Sequence, residues 1–402
     1  MTNIAILGFG VVGSGVADLL TKNADSVRKI SADEINIKYI LDLRDFPDSP
    51  FGDRVVHDFS IILNDTEVSC VIEAMGGSHP AYEYTSAALK AGKSVITSNK
   101  EVVAKFGDEF LTLAKENDVC YRFEAAVGGG IPVISPIIDC VRHNEIKEIR
   151  GILNGTTNYI LTKMFSFGDS FEDSLKDAQE KGYAERNPDA DVLGIDACRK
   201  ITILTALATG KLLSTEKIHT EGITAIRSED VSAAEALGMK IKLLGRCILK
   251  EGEAQVMVAP FMLSGDSPLA CVNGVYNAVE VIGEPVDNVM FYGRGAGAGP
   301  TASAIVADLM QVLRSGRNYA CPEWVKDDSE LQRFSCFECA HYVALSGVKA
   351  DEVKEVFGSI RIISEGDEIA FTTEIMSENE CSEAIRSLTS KGAELKSKIR
   401  IV

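Results

Sequence analysis

The sequence predicts an α/β protein built on a doubly wound parallel sheet, followed by an α+β region and a small β-α-β-β-α-β tail. Three observations predict it. Short apolar strands alternate with helical stretches through the first 130 residues. A G-x-G-x-x-G run stands between the first strand and the first helix. Beyond residue 130 longer strands take over. The 402 residues, 46% of them hydrophobic, exceed what one core organises, so two or three domains are expected.

Taken in order, "NIAIL" is a short buried strand that meets Gly8, Gly10 and Gly13, and a helix follows through Val16 and Leu20. "INIKYILDL" (35–43), "VSCVIEAM" (68–75), "SVITSN" (94–99) and "CYRFEAAV" (120–127) supply four more strands. Helices lie between them at Pro80–Ala91 and from about Lys100. "EIKEIRGILNG" and "EAQVMVAPFML" read as strands of an antiparallel sheet, with helices near 170–180, 191–209 and 229–240. Glycines return in "GRGAGAG" (293–299), and a helix from about Pro300 to Leu313 is expected to pack back on the first domain. "SGRNYACPEW" (315–324) reads as a linker. The tail reads strand (332–338), helix (350–357), strands (359–364 and 368–375), helix (378–388) and strand (397–402). The domains expected are 1–134 with 293–315, then 135–292, then 316–402.

Lys and Arg total 41 against 59 acids, a net charge of −18, which argues against nucleic-acid and membrane-surface partners. No signal peptide is read at the N-terminus, and no run approaches the roughly 20 apolar residues of a membrane span. The ten scattered cysteines then suit a reduced, cytoplasmic protein. "CFEC" (336–339) has no second pair and is assigned no ligand His, so it reads as a strand with two small buried residues rather than a zinc site.

In the G-x-G-x-x-G setting, the first glycine makes the turn, the second admits a pyrophosphate and the third lets helix and strand pack. Phe9, Val11 and Val12 complete this cofactor loop. The helix N-terminus then meets the phosphates with unpaired N–H groups. The end of the second strand selects the cofactor. An acid there suits the ribose hydroxyl of NAD, and an arginine suits the 2′-phosphate of NADP. "LDLRD" offers Asp42, Arg44 and Asp45, and Arg44 favours NADP.

"NPDADVLGIDACRK" (187–200) places Asp196 and Lys200 one turn apart. With Asp196 at zero on a helix, Lys200 falls at about 40°, Leu207 at about 20°, Leu193 at about 60° and Leu204 at about 80°. Val192 and Ile203 flank the other side, while Cys198, Thr202 and Thr205 lie opposite. A surface ion pair predicts polar neighbours, which this stripe lacks. Two readings stay open: a buried structural pair, or a cleft wall presenting a carboxylate and an ammonium to a polar ligand. Glu185, Asp189 and Asp191 add carboxylates that suit a substrate amino group or cap the helix.

At these residues the chain resembles the homoserine dehydrogenase family. The signature runs through Ala178, Gly182, Asn187, Pro188, Asp191, Gly194, Asp196 and Lys200. Co-linear blocks accompany it: "GFGVVGSGV", "VIEAMGG", "TSNK", "EAAVGGGIPV", "GILNGTTNYILTKM" and "FYGRGAGAGPTASAIVADL". The resemblance covers about 1–315 and implies a Rossmann-type first domain and a substrate and dimerisation domain. It implies NAD(P)-dependent interconversion of L-homoserine and L-aspartate 4-semialdehyde. Lys200 is implied as proton donor, with Lys100 also at the active centre. Glu185 and Asp196 are implied as substrate contacts, with Asp191 close by. Cofactor contacts are implied at the first glycine loop, Lys100, Gly182 and the late loop Gly295–Gly297, and expected also at Gly76 and Ser98. A monovalent cation such as Na+ is implied at Glu124 with the backbone of Val127, Gly129 and Ile131, in a loop that also reads as a glycine-rich hinge.

The chemistry follows physically. In the reducing direction negative charge grows on the carbonyl oxygen, and a nearby ammonium stabilises it and delivers a proton. Burial favours a neutral amine and Asp196 favours the ammonium, so the sequence leaves this balance open. Glu73 reads as a strand-end residue near the nicotinamide or a polar loop start. Asn154, Thr156 and Thr157 read as mixed ligand and cap residues, and His79 as a cap neighbour. The tail is similar to ACT domains but lacks their Asp-x-Pro-Gly turn, having "CAHYVALSGVKADE" instead. It is expected to be an ACT-like regulatory or oligomerisation module, the missing turn counting against a threonine effector site. A homodimer is expected, or a tetramer through that module. The competing functions are another amino-acid dehydrogenase and a non-catalytic NADP-binding sensor.

Overall fold

The computed structural model describes residues 1–315, 321–329 and 331–402, so residues 316–320 of the expected linker lie outside the described residues. Contacts divide the chain into two compact units. One comprises 1–145, 202–215 and 291–328; the other comprises 146–201, 216–290 and 329–402.

In the first unit six parallel strands form one sheet: β1 (Thr2–Leu7), β2 (Ile35–Leu41), β3 (Val55–Val56), β4 (Val68–Glu73), β5 (Ser94–Thr97) and β6 (Tyr121–Arg122). Their order is β3-β2-β1-β4-β5-β6, so the chain reverses direction across the sheet between β1 and β4. In such sheets that reversal opens a crevice at the strand C-termini, where nucleotides bind. Ile4, Ile6, Ile72 and Ile96 share one core on one face of the sheet, and Ala5, Leu7, Val71 and Val95 at the alternate positions are buried too, as expected for strands covered on both faces. The helix Ala298–Ser315 returns to this unit, placing Ala302, Ile305 and Leu309 in one core with Ile4, Ile6 and Val16.

β6 is shorter than the strand expected over 120–127. Glu124 leaves the ladder because its N–H donates to Asp308 Oδ2 at 2.8 Å, and Glu124–Ala126 closes a 3₁₀ turn.

In the second unit the strands form one eleven-stranded mixed sheet. Met239–Lys250 and Glu253–Ser264 make a long antiparallel hairpin, joined on one side by Glu145–Ile152, Tyr276–Glu284 and the edge strand Asp287–Arg294. On the other side the last strand, Glu394–Ile401, pairs in parallel with the hairpin, matching Phe261 with Arg400. Glu338–Ser346, Glu368–Thr373 and Ile360–Glu365 complete that side. The C-terminal strands therefore extend the same sheet as the strands after residue 145.

Two expectations about elements are corrected. The helix expected over 191–209 breaks at Gly194, whose φ is +83°, into Asp189–Val192 and Ile195–Thr209. A Cβ at Gly194 would meet Thr220 Cγ2 at 3.1 Å and the Glu221 carbonyl at 3.2 Å, so the turn needs glycine twice over. The first strand of the tail is Glu338–Ser346, not 332–338, where Phe334–Cys336 forms a 3₁₀ turn instead. "CAHYVALS" is the strand because Val343 and Leu345 bury against Val353, Phe371 and Leu388, and two antiparallel neighbours take its backbone. Among the described residues no helix is long and apolar enough to cross a membrane.

Candidate active site

The glycine loop has the shape its spacing requires. Gly8 has φ of +92°, and a Cβ there would lie 2.9 Å from the Ala74 carbonyl. A Cβ on Gly13 would lie 1.9 Å from the Gly8 carbonyl. A Cβ on Gly10 would meet no protein atom within 4 Å, so Gly10 borders open space at the start of the helix Val11–Lys22. Close packing at the outer glycines and space at the middle one is what a pyrophosphate on a helix N-terminus needs.

At the end of β2, Asp42 Oδ2 accepts the Phe9 N–H at 2.8 Å, tying the selecting acid to the glycine loop. Arg44 grips the same carboxylate through Nε at 3.0 Å and Nη2 at 3.1 Å. The arginine's hydrogen bond is the chief cause holding the Asp42 carboxyl down to about 2. Arg44 itself is exposed and lies 5.1 Å over the Phe46 ring. Gly76 follows β4, and Ser98 follows β5 with its N–H on the Glu73 carbonyl. Lys100 opens the helix Lys100–Glu116, capped by Asn99. Glu73 is fully buried at the end of β4, and its carboxylate accepts Thr97 Oγ1 at 2.5 Å and the Met75 N–H at 2.8 Å. Burial pushes its carboxyl up to about 7.

The Glu124–Ile131 loop lies in the same unit. A Cβ on Gly129 would stand 2.3 Å from the Gly295 carbonyl, so the two glycine loops touch backbone to backbone. Gly297, with φ of +121°, leads into the helix Ala298–Ser315. The Glu124 carboxylate accepts the N–H groups of Val133 at 2.6 Å, Ile134 at 2.8 Å and Ser135 at 2.7 Å. Three of its four lone-pair sites thus serve the backbone that follows the loop.

In the second unit Asp196 and Lys200 are 4% and 6% exposed. Lys200 Nζ donates to Asp196 Oδ2 at 2.8 Å and to the Leu153 carbonyl at 2.7 Å. Asp196 also accepts from Asn154 Nδ2 at 2.9 Å, and that amide reaches Asp191 Oδ1 at 2.7 Å. Burial and the Asp196 charge raise the Asp191 carboxyl above its usual range, against the Asn154 hydrogen bond. The helix is not amphipathic in the way its phase suggests. Cys198, Thr202 and Thr205 on the opposite face are buried too. The break at Gly194 removes Leu193 from the stripe and leaves it exposed.

Asp191, Asp196 and Lys200 are therefore brought together. Glu185 is exposed on the preceding loop, where its carbonyl accepts Gln179 Nε2, and Gly182 lies on that loop with φ of +73°. The Leu153 carbonyl is a contact that sequence reasoning missed, because a backbone acceptor leaves no mark in residue identity.

The "CFEC" reading is corrected: Cys336 is exposed in the 3₁₀ turn and only Cys339 is buried. Cys339 Sγ lies 3.6 Å from His341 Nε2, which lies 3.1 Å from Glu378 Oε1. Arg400 Nε at 2.5 Å and Lys398 Nζ at 2.8 Å already neutralise Glu378, so a metal ion there would face two resident cations.

The chain is similar to known proteins in sequence and in fold. The family pattern "Homoserine dehydrogenase" matches residues 132–310, and "Homoserine dehydrogenase, NAD binding domain" matches 8–124. A homoserine dehydrogenase from a Synechocystis species is 41% identical over 317 residues, covering 77% of this chain and 73% of its own length. The crystal structure of a homoserine dehydrogenase from Thiobacillus denitrificans superposes with a TM-score of 0.92 at 33% identity, covering 100% of this chain and 98% of the other. A hyperthermophilic archaeal homoserine dehydrogenase in complex with NADPH gives a TM-score of 0.68 at 28% identity, covering 80% of this chain and 99% of the other.

Proposed function

The chain belongs to the homoserine dehydrogenase family, and from that premise we propose how its residues divide the reaction. The protein is an NAD(P)-dependent oxidoreductase acting on a CH–OH group, interconverting L-homoserine and L-aspartate 4-semialdehyde.

When bound, the nicotinamide supplies or takes up the hydride. Lys200 holds the proton. In the reducing direction its ammonium stabilises the growing charge on the carbonyl oxygen and delivers the proton to it; in reverse the neutral amine accepts the hydroxyl proton. Asp196 holds the ammonium of Lys200 in line and, with Asp191 and Glu185, takes the substrate amino group. Lys100 gives orientation and electrostatic support. The observation that carries this reading is the buried Lys200 Nζ, bonded to Asp196 and the Leu153 carbonyl beside the Asp191 carboxylate. The decisive experiment is turnover of homoserine by the purified protein, followed by absorbance with NAD and NADP in parallel, repeated with Lys200→Met. Cofactor binding without turnover in the unmodified protein would favour the sensor reading.

The residues proposed to hold the cofactor are Gly8–Gly13, Gly76, Ser98, Lys100, Gly182, Gly295 and Gly297, and Arg44 selects NADP. The open space at Gly10 and the exposed guanidinium of Arg44 just after β2 support this. The NADPH complex of the archaeal relative is consistent with it. A monovalent cation such as Na+ is proposed at the Glu124–Ile131 loop. Because the Glu124 carboxylate already serves three N–H groups, the carbonyls of Val127, Gly129 and Ile131 are its main donors, with Glu124 supplying charge. The domain division 1–134 with 293–315, 135–292 and 316–402 is retained as a functional one. The protein is proposed to be a cytoplasmic homodimer. The edge strand Asp287–Arg294, with Met290 and Tyr292 exposed, offers a pairing surface. The ACT-like tail is proposed to serve assembly rather than threonine sensing.

A further inference from the structure

Asn154 touches more of the ionisable cluster than any role as a helix cap requires. Its Oδ1 accepts the Thr157 N–H at 2.9 Å and caps the helix Gly155–Phe167. That bond fixes which way the amide faces, because the reverse orientation would aim a carbonyl oxygen at two carboxylates. Nδ2 then donates its two hydrogens separately, to Asp191 Oδ1 at 2.7 Å and to Asp196 Oδ2 at 2.9 Å. The preceding carbonyl, of Leu153, accepts Lys200 Nζ at 2.7 Å. The turn is held on its other side as well: a Cβ on Gly155 would stand 2.7 Å from the Val275 carbonyl. One dipeptide thus contacts Asp191, Asp196 and Lys200.

We propose that Asn154 is a positioning residue for homoserine oxidation and semialdehyde reduction, its amide clamping Asp191 and Asp196 together as an anionic pair that receives the substrate ammonium. The inference rests on the reading of Asp191, Asp196 and Lys200 given above. Two buried carboxylates this close each favour protonation of the other, which would cancel the charge the substrate needs. A donor shared between them opposes that by stabilising both charged forms. Among the described residues Lys200 faces the pair as a cation, bonded to Asp196 Oδ2. Glu221, on the segment packed against Val192–Gly194, is engaged by His219 and Arg400. Asn154 acts through the carboxylates and does not itself exchange a proton.

The test compares Asn154→Ser and Asn154→Asp with the unmodified enzyme. Both retain an N-cap acceptor, and both lose the two donated hydrogens. The readouts are kcat and KM for homoserine across pH, NADPH affinity by fluorescence, and Tm. The expected result is a KM raised about tenfold or more and an acid limb of kcat/KM moved up by about one pH unit, with NADPH affinity within about twofold. Asn154→Asp should show the larger KM effect because it adds a third carboxylate. If that variant does not fold, Asn154→Ser decides alone. An unmoved acid limb and KM in folded Asn154→Ser, or a fall in kcat with no pH shift, overturns the proposal and leaves only a cap. Asp191→Asn and Asp196→Asn are run beside them. If these raise KM while Asn154→Ser does not, only the clamp is wrong. If neither raises KM, the carboxylates do not hold substrate and both readings fall.

Discussion

Lys200 Nζ lies 2.8 Å from Asp196 Oδ2, one turn apart on the same helix, with both side chains almost wholly out of solvent. A pair so placed ties chemistry to stability, because neither charge can be removed without stranding the other.

Replacing Lys200 by methionine should lower kcat by about 10²–10⁴-fold, the usual worth of a positioned proton donor, with NADPH binding retained. It should also destabilise the fold by about 3–5 kcal/mol, since Asp196 is left buried and uncompensated. The double variant Asp196→Asn/Lys200→Met separates the two effects. Urea unfolding should show stability largely restored while turnover stays lost. Near-normal turnover in Lys200→Met would rule this lysine out as the donor.

Arg44→Ala removes the exposed cation beside Asp42 and leaves the Asp42–Phe9 bond in place. The KM for NADPH should rise about tenfold, with that for NADH changing less than twofold. Equal changes for both cofactors would mean that Arg44 does not meet the 2′-phosphate.

Glu73 gives a pH signature. Burial lifts its folded carboxyl to about 7 from an ordinary value of 4.5. The folded state therefore holds its proton more tightly, and stability is lost as pH rises from about 4.5 through 7. Glu73→Gln cannot ionise, so it should gain Tm relative to the unmodified protein between pH 5 and pH 8. A Tm difference that stays flat across this range would show that Glu73 keeps no raised carboxyl.

Arg400 gives the opposite sign. It is fully buried and bonds Glu221 through two hydrogen bonds of 2.8 Å each. Burial pushes the Glu378 carboxyl up, but His341, Arg400 and Lys398 together outweigh it and hold it to about 2. The stabilisation from a depressed carboxyl is present above its ordinary 4.5 and is lost as pH falls towards 2. Arg400→Met should cost about 3–5 kcal/mol at pH 7, by urea unfolding, and clearly less at pH 3. A cost independent of pH would mean the side chain acts by packing alone.

The glycine spacing, the β-α alternation and the Asp196–Lys200 interval were legible because each is local. A turn, a strand period and a helical repeat are all set by neighbouring residues. Helical phase was legible only in part. It placed Asp196 and Lys200 off the surface correctly. It could not show that Gly194 breaks the helix, where Thr220, Glu221 and Val258 press on the glycine, or that the opposite face is buried as well, since both depend on residues distant in the chain. The tail's first strand was misplaced for a similar reason. "CAHYVALS" carries a buried histidine and becomes a strand through pairing with residues 368–373 and 394–401.

The sequence by itself determined the doubly wound α/β start and its change to an α+β region, the glycine loop and the identity of the charged pair, because residue type and spacing suffice for those. Only the tertiary structure decided which atoms those charges meet. Leu153 offers a carbonyl, Asn154 splits its amide between Asp191 and Asp196, and Glu124 turns its oxygens onto backbone N–H groups. The first two join residues 37 to 47 positions apart and the third residues nine to eleven apart, and none follows a helical or strand period that would announce it.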